Sequence, residues 1–95
     1  MSYTANTVVD GTGTIATLNV SQQVIGSNVA RQGFIFINNS GVTMYLRPGS
    51  SAATTSHIPV LAGATFTMLA DVCLGTAWQV ICGTATSAYY YAEMY

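Results

Sequence analysis

Short runs of β-branched and aromatic residues recur along the chain, separated by Gly, Asn, Ser and Pro. No segment places apolar residues at helical spacing over three turns. Several such runs in one short chain are typical of a sandwich or barrel. We therefore expect an all-β fold, a single antiparallel β-sandwich or jelly-roll-like barrel of about seven or eight strands. The 95 residues predict one domain, 1–95.

The first third of the chain is predicted to be strand, turn, strand and loop. A strand is expected at 7–9, and the glycines in 11–13 favour a turn after it. A second strand is expected at 14–20. The mostly polar segment 21–32 predicts a long loop, with room for a brief strand at 24–25.

The clearest strand is the apolar run at 33–38. Because Phe34 to Ile37 are all apolar, both faces of this strand are expected to be buried. The Asn-Ser-Gly sequence at 39–41 predicts a tight turn into a strand at 42–47. These two strands are expected to pair as a hairpin at the centre of the fold.

The second half of the chain predicts shorter strands. A loop is expected at 48–57, and Pro59 in the run that follows suits an edge strand or a bend. The last two strands are expected to form a hairpin. The strands predicted here are 58–61, 64–69, 72–74, 77–82 and 88–94.

Charged residues make up 5% of the chain, against about 25% in an ordinary soluble domain. Lysine is absent, and the charged residues are Asp10, Arg31, Arg47, Asp71 and Glu93. Net charge near zero favours association. Charged side chains, especially Lys, usually keep open strand edges from pairing with other chains. We therefore expect partners to cover the edges in the working state.

The same composition argues against other partners. Two arginines cannot form the basic stripe that follows a phosphate backbone, so nucleic acid is not an expected ligand. No apolar run approaches the 18 residues of a membrane-spanning helix, and residues 1–6 lack the features of a signal peptide. We expect no membrane contact and synthesis in a cytoplasm.

Catalytic and metal-binding constellations are not expected. His57 is the single histidine, and its predicted place is an exposed loop. Cys73 and Cys82 have no metal-binding or redox spacing, and as cytosolic thiols they are expected to be reduced. The three acidic residues form no recognisable pair. We therefore predict a protein that is not an enzyme and that uses no cofactor or metal.

A tyrosine cluster near the end of the chain is the candidate interface, formed by Tyr89, Tyr90, Tyr91 and Tyr95. In a strand, Tyr89 and Tyr91 share one face and Tyr90 lies on the other. Three interpretations stay open. One face is core and the other is ordinary surface, the cluster is a subunit contact, or it is a platform for a sugar.

The order of these segments resembles a group of small β-sandwich proteins from the virions of tailed bacteriophages. The resemblance covers about residues 15 to 94 and rests on patterned strands and a few polar positions. The matching segments are Asn28–Gln32, Gly33–Ser40, Val42–Leu46, Ile58–Gly63, Trp78–Cys82 and Tyr89–Glu93.

This resemblance implies a structural role in the virion. The expected function is that of a capsid cement (decoration) protein on the capsid surface, which binds the major capsid protein and forms a homo-oligomer, with a trimer favoured. The alternative is a carbohydrate- or receptor-binding module of a tail or fibre. Exposure of Trp78 or a stack of tyrosines in a groove would favour the alternative, and burial of Trp78 would count against it.

Overall fold

Eight strands account for all regular secondary structure in residues 7–69 and 75–95, the part of the chain that the computed structural model describes. This confirms the expected all-β class. In chain order the strands are β1 (Val8–Thr14), β2 (Gln22–Ile25), β3 (Gly33–Asn38), β4 (Met44–Pro48), β5 (Ile58–Val60), β6 (Thr65–Leu69), β7 (Trp78–Cys82) and β8 (Ala88–Met94).

The strands form two antiparallel sheets of four. The first sheet has the order β1-β8-β3-β6, and the second has the order β2-β7-β4-β5. β1 pairs with β8, β2 with β7, β3 with β6 and β4 with β5. This pairing is that of one long hairpin rolled into two layers, which is the topology of an eight-stranded jelly roll.

Both predicted hairpins are wrong. β3 pairs with β6 and β8, whereas β4 pairs with β5 and β7, so the 39–43 segment carries the chain from one sheet to the other. The 83–87 segment likewise crosses from β7 to β8. A short polar turn permits either connection. The chain crosses between sheets because each strand has one apolar side. The apolar sides of strands in opposite sheets bury each other across the sandwich.

The core lies between the inner faces of β3, β4, β7 and β8. Phe34 stacks on Trp78 with ring centroids 5.1 Å apart, and Phe36 stacks on Tyr89 at 5.2 Å. The expectation that both faces of β3 are buried is wrong, because Ile35 and Ile37 on the outer side are only partly covered. The other strand positions mostly agree with the prediction, and β5 with its proline is an edge strand. The strand predicted at 72–74 lies outside the described residues.

The predictions for the start of the chain are wrong at the glycines. β1 continues through Gly11 and Gly13, and the segment 15–21 is an irregular loop instead of a strand. A Cβ at Gly11 would lie 2.8 Å from the Tyr91 hydroxyl oxygen, and one at Gly13 would overlap the Tyr89 ring. Glycine is needed here because tyrosine rings of the neighbouring strand occupy the space above it.

A buried asparagine closes one end of the sandwich. The Asn38 side chain donates from Nδ2 to the carbonyls of Val42 (2.7 Å) and Val60 (2.8 Å). Its Oδ1 accepts from the backbone N–H (3.0 Å) and the hydroxyl (2.6 Å) of Ser40. The side chain thereby satisfies backbone groups where the chain changes sheets. We call this the Asn38 end; its loops are 15–21, 39–43, 61–64 and 83–87.

A buried arginine holds the opposite end, which we call the Arg31 end. Arg31 donates from Nη1 to the Thr76 carbonyl (2.5 Å) and from Nη2 to the Gly26 carbonyl (2.6 Å). Its Nε lies 3.4 Å from the Glu93 carboxylate, which also accepts from Asn28 Nδ2 at 2.9 Å. One cation therefore links the β2–β3 loop to β8 and to the segment before β7, and its charge is compensated by Glu93.

Candidate interaction surfaces

The predicted tyrosine interface divides between the two sides of the first sheet. Tyr89 is 4% exposed and belongs to the core, so it offers almost no surface to another chain. Tyr91 is half-buried on the same side, above Gly11. Tyr90 points outward, and the half-buried Tyr95 follows β8, where its backbone pairs with Thr7. The predicted split of Tyr89 and Tyr91 from Tyr90 is confirmed.

The outer side of the first sheet is apolar at its centre. Strand pairing sets Ala92 and Tyr90 of β8 beside Ile35 and Ile37 of β3, respectively. Met94 continues this row toward the Arg31 end. Threonines border the centre on β1 and β6. We call this surface the open face; its residues are Val8, Asp10, Thr12, Ile35, Ile37, Thr65, Thr67, Tyr90, Ala92 and Met94. Ala92 is buried at its centre, and the isoleucines, Tyr90 and Met94 around it are half-buried.

The open face carries one charged side chain, Asp10. The Tyr90 hydroxyl donates a hydrogen bond of 2.9 Å to its carboxylate. That hydrogen bond, with smaller contributions from desolvation and from the negative charge of Asp10, raises the pKa of Tyr90 above its usual value. The Tyr90 hydroxyl and the Asp10 carboxylate therefore hydrogen-bond to each other. The other side chains of the face are neutral, so covering them desolvates no further charge.

The protein's own loop, 49–57, covers part of the outer side of the second sheet, whereas Tyr45 and Ile81 in the next row are half-buried and Pro59 is exposed. Gln79 Nε2 donates to the Gly49 carbonyl at 3.2 Å, and Arg47 Nη1 donates to the Ala52 carbonyl at 3.0 Å. The backbone N–H of Ala53 donates to the Ser21 hydroxyl at 2.9 Å, and Ala53 is 2% exposed. The loop therefore crosses this face from the Arg31 end to the β2 edge.

His57 closes the last turn of that loop. Its Nδ1 accepts from the backbone N–H of Thr54 at 2.8 Å, and the backbone N–H of His57 donates to the Thr54 carbonyl at 3.1 Å. Within residues 7–69 and 75–95, no group of three or more His, Cys, Asp or Glu is placed to hold a metal ion. The arrangement makes His57 a loop-closing residue before β5.

The remaining predicted residues are mostly internal. Trp78 is 1% exposed and lies among aromatic rings of the core. Cys82 is buried and unbonded, whereas Cys73 lies outside the described residues, so the prediction for the pair stays a prediction. Among the described residues there is no apolar helix long enough to cross a bilayer.

Of the residues that form the open face, the sequence pointed to Tyr90 as a candidate interface residue and not to the others. Ile35 and Ile37 were assigned to a strand buried on both sides, because a continuous apolar run does not distinguish burial inside the chain from burial by a partner. The available signal was the low charge of the whole chain, which indicates covered surface without locating it.

Comparison with known proteins gives no family assignment. No protein-family model, no curated protein and no solved structure matches the chain.

Proposed function

We propose that the protein is a bacteriophage virion structural protein, a capsid cement protein that binds subunits of the major capsid protein and stabilises the head. The observation that carries this proposal is the open face, an apolar sheet surface with one charged residue. The phage assignment itself rests on the sequence resemblance. The open face supports the coarser part, a protein that works by packing against other proteins.

The mechanism of a cement protein is physical. A copy that spans two shell subunits buries apolar surface on both, and that surface must be exposed again before the subunits separate. A standard interface buries about 800 Å² per partner, roughly a sixth of the 5026 Å² accessible on this chain. The open face suits this role because few charges must be desolvated when it is covered.

The alternative, a carbohydrate- or receptor-binding module, needs an exposed aromatic platform. Burial of Trp78 and Tyr89 counts against it. Tyr90 is the aromatic side chain on the open face, and its hydroxyl is engaged by Asp10. The proposal therefore favours protein contact over sugar binding.

The test uses phage heads prepared without the protein. We expect the purified chain to bind them and to raise the temperature at which they rupture. Ile37→Lys places a charge at the centre of the open face and should weaken binding at least tenfold, because about 1.4 kcal/mol suffices for a factor of ten. Ser51→Lys adds the same charge to the exposed covering loop and should bind like the wild type.

Three outcomes would contradict the proposal. Wild-type chain that does not bind heads removes the cement function. Equal binding by Ile37→Lys and Ser51→Lys shows that the open face is not the contact. Copies that touch no other protein in an electron-microscopy map of the particle exclude bridging altogether.

A further inference from the structure

In the described residues the sandwich has four edge strands, and their edges differ. β5 has three residues and contains Pro59, whereas β2 has four residues and a register shift between Gln23 and Ile25. Proline and irregular register keep an edge from pairing with another chain. β6 has five residues and leads into 70–74, which lie outside the described residues. β1 is the longest, with seven residues in unbroken register with β8 and neither proline nor lysine, so its edge is the best suited to take another strand.

The register identifies the backbone groups that β1 presents at its edge. Thr7 and Tyr95 exchange two backbone hydrogen bonds, of 2.6 and 2.9 Å. Because such pairs alternate along an antiparallel ladder, Val8, Asp10 and Thr12 direct their N–H and C=O groups away from β8. Among the described residues no side chain or loop hydrogen-bonds to these groups. They recur at every second residue, which is the spacing that another extended backbone matches.

The protein closes one end of this edge itself. Gln22 of β2 donates from Nε2 to the Thr14 carbonyl at 2.9 Å, and its Oε1 accepts from the backbone N–H of Ala16 at 2.9 Å. These bonds occupy the backbone groups that would continue the edge into the 15–21 loop. A strand that adds to β1 is therefore limited to about five residues, opposite 8–12.

The side chains of the edge differ between its two sides. Asp10 lies on the open face, and Val8 beside it is 63% exposed. On the inner side the Tyr91 ring lies over Gly11, with its hydroxyl oxygen 2.8 Å from the position of a Cβ. Because Gly11 has no side chain, a residue of an added strand can pack against that ring.

The charge of Asp10 determines which strand fits this edge. A second copy of β1 paired residue for residue across 8–12 would place two Asp10 carboxylates opposite each other, and like charges there are destabilising. A strand with Lys or Arg at that position forms an opposite-charge pair, and the Tyr90 hydroxyl can keep its hydrogen bond to Asp10. The edge is therefore better matched to a different chain with a basic residue at this position.

We propose that the edge of β1 binds an extended segment of a partner protein as an added strand, with a Lys or Arg of that segment opposite Asp10. This inference rests on the coarser part of the proposed function, packing against other proteins, and it names the edge and the chemistry of the bound segment. Backbone hydrogen bonds to Val8, Asp10 and Thr12 supply affinity, and the charge opposite Asp10 supplies specificity. The added strand lies about 4.8 Å from β1 and widens the open face.

NMR titration of the full, isotope-labelled chain with a synthetic peptide tests the inference. The probe is the capped peptide Ser-Thr-Val-Lys-Thr-Val-Ser, which places its lysine opposite Asp10 when it is centred on the edge. We expect a dissociation constant on the order of 1 mM, because a short flexible peptide must be ordered on binding. At about 5 mM peptide, the amides of Val8, Asp10 and Thr12 should shift and exchange with solvent at least about threefold more slowly. The amide of Val9, which already bonds to β8, should change less.

Two substitutions at one position separate the backbone from the side chain. Thr12→Pro removes an N–H that the β1–β8 ladder does not use, so the chain should fold while peptide binding weakens at least about fivefold. Thr12→Val keeps the N–H and should bind like the wild type. Circular dichroism checks that both variants are folded. A peptide with glutamate in place of lysine tests the charge on the wild-type chain and should bind at least about threefold more weakly.

Several results would overturn the inference. They are unchanged amides at Val8, Asp10 and Thr12 with the lysine peptide, shifts centred on β6 instead of β1, equal binding of the lysine and glutamate peptides, and wild-type binding by a folded Thr12→Pro. Shifts of the same amides with protein concentration alone would assign the edge to a second copy and would also overturn it.

The proposed function is judged by a separate measurement. Binding to heads through Ile37 and the open face can fail while the peptide adds to β1. The peptide can fail to add while heads are bound. The two proposals can therefore be rejected independently.

Discussion

The two sheets share one core but have different outer sides. Part of the second sheet is covered by the 49–57 loop, which is held by hydrogen bonds from Arg47 and Gln79 and by the buried Ala53. The first sheet has no such loop over it in the described residues, and Ile35 and Ile37 are half-buried at its centre. The second sheet also has an apolar outer row, in which Tyr45 and Ile81 are half-buried and Pro59 is exposed. The outer sides therefore differ in what lies over them: a loop lies over the Arg47 and Gln79 row of the second sheet, whereas the described residues place no segment over the open face.

The difference between the inner and outer sides of β3 gives the largest expected effect. Phe36→Ala should lower the free energy of unfolding by about 3–5 kcal/mol, because it empties a fully buried aromatic site. Ile37→Ala, one residue along on the open face, should cost only about 1 kcal/mol. Denaturant unfolding measures both. Equal losses would mean that the open face is part of the core.

An added methyl group should destabilise the protein more on the inner side of the first sheet than in a loop. Gly13→Ala should cost about 2–3 kcal/mol, because the new methyl group overlaps the Tyr89 ring. Gly41→Ala is the matched control, since a Cβ there meets nothing within 4 Å. Thermal unfolding of the two variants separates crowding from a general effect of glycine replacement. A loss under about 1 kcal/mol for Gly13→Ala would contradict the close ring contact.

The covering loop of the second sheet can be tested at two adjacent alanines. Ala53→Asp places a carboxylate at a site that is 2% exposed and should cost about 2 kcal/mol, limited by opening of the loop. Ala52→Asp puts the same group on the exposed side and should stay within about 0.5 kcal/mol of the wild type. Hydrogen exchange of the Ala53 amide should rise in the first variant alone. Equal stability would show that the loop does not seal this face.

The smallest effect concerns the polar pair on the open face. In the folded protein the pKa of Tyr90 is raised above its unfolded value, so the pair stabilises the fold below the usual tyrosine pKa near 10. That contribution is lost as pH rises through the folded pKa. Titration of the Tyr90 ring by NMR should show the raised value, and Asp10→Asn should bring it down. If the pKa of Tyr90 is the same in Asp10→Asn as in the wild type, the hydrogen bond between Tyr90 and Asp10 is contradicted.

Much of the fold was predictable because it depends on local pattern. The strand at Gly33–Asn38 and the strands that end at Cys82 and Met94 follow from short apolar and aromatic runs bounded by turn residues. The glycines of β1 were mistaken for a turn, since their reason lies in tyrosine rings about 80 residues away in the chain. The candidate interface was predicted by residue type, and which of its tyrosines lie on the outer side of the sheet could be read only from the strand pairing.

The sequence by itself determined the class of the protein: an all-β chain, low in charge, with aromatic strands that demand burial. These properties follow from residue chemistry and from the period of two along a strand. Only the tertiary structure decided which sheet each strand joined, and therefore which apolar side became core and which became the open face. Short turns such as 39–43 permit a hairpin or a crossing between sheets. The choice between them is made by packing against residues far away in the chain, which no local pattern contains.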